Sequence, residues 1–73
     1  MNEFIMIKPV ITLTQFLKAN DYISSGGEAK YFLSEYVVKI NNIIEDRRGK
    51  KLYPGDIVII VEDEYKLVYD QED

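Results

Sequence analysis

Arg47-Arg48-Gly49-Lys50-Lys51 places four cations within five residues of an otherwise acidic chain. Such a cluster suits phosphate. Lys and Arg that neutralise a nucleic-acid backbone release its condensed counterions, and that release drives association. Arg47 and Arg48 offer planar forks that hold two oxygens at once, Lys50 and Lys51 act as mobile point charges, and Gly49 is expected to let the loop bend. The competing reading is a solvated charged loop. A second feature is Ser25-Gly26-Gly27-Glu28-Ala29-Lys30. Gly26 and Gly27 at a helix start would let an anion approach exposed backbone N–H groups, assisted by Lys30. Against this, Ser25 reads equally well as an N-cap, and Glu28 favours capping over anion binding. Lys18 would extend a positive face or simply solubilise. Tyr53, beside the basic run, and Tyr31 are the candidates for base stacking.

The rest of the composition narrows the chemistry. Cysteine and histidine are both absent, which removes thiolate metal sites, disulfides, the usual general base and the commonest zinc ligand. No carboxylates stand in a recognisable catalytic pattern, so an enzyme is not expected, nor a cofactor or metal. The net charge of −4 hides a strong asymmetry. Six of thirteen acids lie in residues 62–73 against Lys66 alone, leaving eight bases and seven acids in residues 1–61. Because charges are screened beyond about 8 Å at physiological salt, the local cluster outweighs the total. The apolar runs Phe4 to Ile7 and Ile57 to Val61 are too short to span a membrane, and no signal-like segment opens the chain. A single cytoplasmic domain, residues 1–73, is expected.

Elements must position these residues. Phe4 to Ile7 reads as a strand stopped by Pro9. Thr12 and Gln15 have capping-box spacing, and Leu13, Phe16 and Leu17 form the stripe of a helix ending near Asn20-Asp21. A second helix follows Ser25, its buried stripe being Ala29, Phe32, Leu33 and Tyr36. Val37 to Ile40 and Ile43-Ile44 make a hairpin around Asn41-Asn42. Glu45 to Lys51 is a charged loop, Tyr53-Pro54-Gly55-Asp56 a turn, and Ile57 to Val61 a buried strand. Glu62-Asp63-Glu64 is a further turn, Tyr65 to Tyr69 the final strand, and the last four residues are expected to fray. The class is α+β: two short helices packed on a small, mostly antiparallel sheet.

From Thr12 to Ile60 this pattern resembles the S4-type RNA-binding domain family, the alpha-L fold. The resemblance rests on Thr12-Leu13-Thr14 with Phe16-Leu17, on Ser25-Gly26-Gly27-Glu28-Ala29, on Val38-Lys39-Ile40-Asn41-Asn42, and on Pro54-Gly55-Asp56 before an apolar strand. Two arginines frequent in the family are here Thr12 and Gly26. The Ser-x-Gly-Gly form and the basic run are similar to short, stand-alone bacterial members. The resemblance implies a monomer that binds structured RNA, ribosomal RNA foremost, with the ribosomal subunit as a partner. The site it implies comprises Arg47, Arg48, Lys50, Lys51, Lys30, Lys18, Gly26, Gly27, Ser25 and Tyr53. The alternative is a protein–protein adaptor using the acidic C-terminal region and the sheet edge. A β-grasp sulfur carrier is excluded, because such carriers end in Gly-Gly whereas this chain ends Gln71-Glu72-Asp73.

Overall fold

A seven-residue helix has too few internal hydrogen bonds to persist alone in water, so helix α1 (Leu13–Ala19) depends on its caps and its packing. Both are present in the computed structural model, which describes residues 1–70. At the start, Thr12 Oγ1 accepts from the Gln15 N–H at 3.2 Å, and Gln15 Oε1 accepts from the Thr12 N–H at 2.9 Å. At the end, Tyr22 N–H donates to Leu17 O (3.0 Å) and Asp21 N–H to Lys18 O (3.2 Å). That paired closure requires a left-handed residue after the cap, and Asp21 supplies it with φ 63°. Leu13, Phe16 and Leu17 are wholly buried, each contributing about 1.5–3 kcal/mol through lost apolar exposure.

The second helix enters through a 3₁₀ turn, Gly26–Glu28, before α2 (Ala29–Glu35). Its expected stripe is corrected at one end. Ala29 is buried and Phe32 and Leu33 half-buried, but Tyr36 is exposed. The helix stops at Glu35, and Tyr36 is already extended (φ −123°, ψ 142°), so its ring leans on Phe32 at 4.8 Å instead of entering the core.

Five strands form the main sheet: β1 (Asn2–Ile5), β3 (Val38–Ile40), β4 (Ile43–Ile44), β6 (Ile57–Ile60) and β7 (Asp63–Val68). Their order is β1-β7-β6-β3-β4. All neighbours are antiparallel except β1 and β7, which run parallel with Phe4 opposite Leu67. A separate two-stranded ladder joins β2 (Ile11–Thr12) to β5 (Lys51–Leu52). The tight turn before β7 is Val61-Glu62, with Val61 at φ 56°, one residue earlier than its acidic sequence suggests. No helix among the described residues is long and apolar enough to cross a membrane.

One sheet face is the core. Val38, Ile40, Val58, Ile60 and Leu67 are buried there, and Phe16 meets Phe4 and Tyr65 edge-on at 5.0 and 5.3 Å. The Tyr22 hydroxyl lies 2.6 Å from that of Tyr65 and donates to Asp63 Oδ2 at 3.0 Å. Burial and these neighbours raise its pKa, so it stays protonated.

Asn41 fastens the β3–β4 turn to the head of β6. Its Oδ1 accepts from Ile57 N–H (2.9 Å), its Nδ2 donates to Asp56 Oδ1 (3.1 Å), and its backbone sits at φ 52°. Alanine would leave an N–H unpaired and strain the left-handed backbone. Asn41→Ala is expected to cost about 2 kcal/mol, read as a lower denaturation midpoint at unchanged slope in urea.

Candidate nucleic-acid interface

The basic run is a docked loop. Lys50 N–H donates to Arg47 O at 3.1 Å, closing a turn over Arg48 and Gly49. The carbonyls of that turn then face the start of α1. Leu13 N–H donates to Lys50 O (2.8 Å), Thr14 N–H to Arg48 O (3.0 Å), and the Thr14 hydroxyl to the same oxygen (2.8 Å). Helix N–H groups that would otherwise lack partners are thereby satisfied. With its backbone turned inward, the loop carries its side chains outward. On the C-terminal side, β5 continues the anchoring: Leu52 is buried opposite Ile11, and Lys51 next to it is exposed.

The structure gathers most of the expected residues. Arg47, Gly49, Lys50, Lys51 and Tyr53 line one open depression, and a second that shares Arg47 and Gly49 with it is lined by Arg48 and by Lys30 at the start of α2. Lys18 is exposed one turn beyond Thr14 on the same side of α1. Lys50 is half-buried; the other cations of the loop are exposed. Gly49 has ordinary backbone geometry with open space where a side chain would go, so the bend does not require it. Only Gly55, at φ +93°, needs glycine.

Two acidic residues that looked like mere loop solvation modify this surface. Glu45 Oε2 accepts from Arg47 Nε (2.9 Å) and Arg47 N–H (3.0 Å), and Oε1 accepts from Arg47 Nη2 (3.0 Å). The Glu45 side chain is only 11% exposed, whereas that of Arg47 is 70% exposed. The guanidinium is therefore held in one place and half neutralised. In an extended segment residues two apart share a side, which is the sequence signal that links Glu45 to Arg47. Asp46 lies beside Lys30 and Arg48 on the same surface. Arg48, Lys50, Lys51 and Lys30 have no ion-pair partner among the described residues.

The glycine-opened turn holds an anion of its own. Glu28 Oε2 accepts from the N–H groups of Ser24 and Ser25, each at 2.7 Å, and from both serine hydroxyls. The Ser24 hydroxyl is the first cause of its lowered pKa. Ser25 thus serves the helix entry. A Cβ on Gly26 would touch Thr14 Cγ2 at 3.8 Å, and one on Gly27 would meet nothing. Thr14 is the residue that sequence reasoning passed over: it meets both the basic loop and the second helix's entry.

The Arg47 hydrogen bonds are the main cause holding the Glu45 carboxyl at about 2, against an ordinary 4.5. A carboxylate depressed in the folded state stabilises the fold above its unfolded pKa and ceases to do so as pH falls through the folded one. Wild type should therefore exceed Glu45→Gln in denaturant midpoint above about pH 5, with the gap closing toward about pH 2. A gap independent of pH would remove the ionic latch.

Comparison with known proteins agrees with this architecture. The family model of the S4 domain matches residues 5–68. Over 51 residues the chain is 59% identical to the Bacillus subtilis (strain 168) protein named "Probable ribosome maturation protein RlbA", covering 70% of this chain and 72% of that one. No solved structure matches. Since the family model matches residues 5–68, from the last residue of β1 through both helices to the last residue of β7, the chain belongs to the S4 domain family.

Proposed function

We propose that this protein binds structured RNA, foremost ribosomal RNA, and acts in ribosome maturation in the cytoplasm without chemistry of its own. The observation that carries this reading is the docked loop: its carbonyls are fixed on α1, so Arg48, Lys50 and Lys51 are displayed together beside Lys30. A preset cationic surface loses less freedom on binding than a floppy one. It contacts phosphates and sugars, which fix register and orientation and carry little sequence information. Recognition is then of RNA shape, as expected for paired RNA whose deep groove side chains do not read. The ribosomal target is supported by the name of the Bacillus subtilis relative and by family membership. Lys18 belongs to this reading from the last turn of α1, and Ser25, Gly26 and Gly27 as the flank of the surface at the entry to α2. Ser25 and the glycines contribute shape there, because Glu28 already holds the local N–H groups.

Neutralising about four phosphates gives a slope of log affinity against log salt of about −3 to −4. Arg48→Gln/Lys50→Gln/Lys51→Gln keeps the anchoring carbonyls and removes three charges. The slope should fall to about −1, and cosedimentation with ribosomal subunits should be lost at unchanged melting temperature. Retained binding with an unchanged slope overturns the site. Glu45→Gln releases Arg47 to a phosphate and should steepen the wild-type slope by about 0.7–0.9. A protein partner captured equally well after nuclease treatment, with no RNA bound, would favour an adaptor instead.

A further inference from the structure

The hairpin leaves a piece of the core face uncovered, and it lies against the basic loop. Ile40 and Ile43 are directly paired across β3 and β4, so they share one sheet face. Ile40 is 6% exposed under the helices, whereas Ile43, on the edge strand, is 72% exposed. Where cover is missing there is a concavity of about 350 Å³, lined by Ile40 and Ile43, by Tyr53 and by the cations Arg47, Lys50 and Lys51. Tyr53 is half-exposed but its backbone is fixed. Its N–H donates to Asp56 Oδ2 (2.8 Å), its carbonyl accepts from Asp56 N–H (3.1 Å), and the preceding Leu52 is wholly buried.

We propose that this concavity receives one unpaired nucleotide, turned out of the RNA held by the basic loop, with its base between Ile43 and the Tyr53 ring and its phosphate at Lys50 and Lys51. The inference rests on the RNA reading above and names the element of RNA structure that the site selects. An apolar floor with an aromatic wall calls for a flat, weakly polar body, and the cationic rim calls for an anion attached to it. A nucleotide is both. Three rim cations against Glu45 and Asp56 leave the concavity with a net positive charge.

Three polar side chains inside are already engaged. Asn41 uses its amide on Ile57 and Asp56, Asp56 uses its carboxylate on Asn41 and Tyr53, and Glu45 uses its own on Arg47. With the Asn41, Asp56 and Glu45 side chains committed in this way, the site selects an unpaired over a paired nucleotide with little preference among bases. Stacking on an aromatic ring is tolerant in this way and is worth about a five- to hundredfold change in affinity per base.

The test uses two fluorescently labelled RNA hairpins of the same stem, one fully paired and one with a single-nucleotide bulge. Wild type should bind the bulged hairpin about tenfold more tightly. Ile43→Ser should abolish that preference while leaving affinity for the paired hairpin unchanged; Tyr53→Leu should abolish it too, and Tyr53→Phe should keep it. Equal wild-type binding of both hairpins overturns the nucleotide pocket and leaves the phosphate-contacting surface standing. A preference that survives both substitutions also overturns the pocket. Failure to bind either RNA overturns the pocket together with the RNA reading.

Discussion

The attachment of two loop carbonyls to the first amides of α1 is the interaction on which the molecule turns. Arg48 O and Lys50 O occupy the positive end of a helix that would otherwise expose it to solvent. In net terms each such bond contributes only about 0.5–1.5 kcal/mol, but it addresses two weaknesses together. A very short helix gains partners for its orphan donors, and a loop rich in repelling cations gains a fixed path. The Thr14 hydroxyl adds a third bond to the same oxygen. Thr14 Cγ2 also lies across from Gly26, so the second helix's entry is near the same point.

Charge is separated along the sheet. Strand β6 begins beside the concavity walled by Tyr53 and ends at the Val61-Glu62 turn, which leads into Asp63 and Glu64. Four residues of strand span roughly 10 Å, about one screening length at physiological salt. The acids of that turn therefore weaken the cationic rim little, and Asp63 is engaged by the Tyr22 hydroxyl. Overall acidity and a local concentration of cations coexist because they occupy different ends of one small sheet.

Local chemistry was readable in the residues; long-range pairing was not. The Thr12–Gln15 cap, the Asn41-Asn42 turn and the Gly55 turn are decided within four residues, and each is where its side chains demand. The cation cluster is contiguous in sequence, so its existence needed no fold. By contrast, β2 and β5 are two residues each, too short for any periodicity to announce, yet their ladder is what turns Lys51 outward. The parallel pairing of β1 with β7 joins residues some sixty positions apart. Tyr36 fitted the helical stripe, but the chain leaves the helix one residue before it to begin the hairpin. The Glu45–Arg47 latch lies in a stretch without regular secondary structure, where charge pattern alone does not say which side chains meet.

The place of β7 in the sheet has a bearing on how the domain is made. It follows β1 by some sixty residues in the chain, yet it lies between β1 and β6. Until it emerges, the first strand has no neighbour to bond with, and Phe16 lacks two of its aromatic contacts, since Tyr65 is unmade and Phe4 unanchored. The edge strand β1 and the aromatic contacts of Phe16 therefore wait on residues made some sixty positions later in the chain.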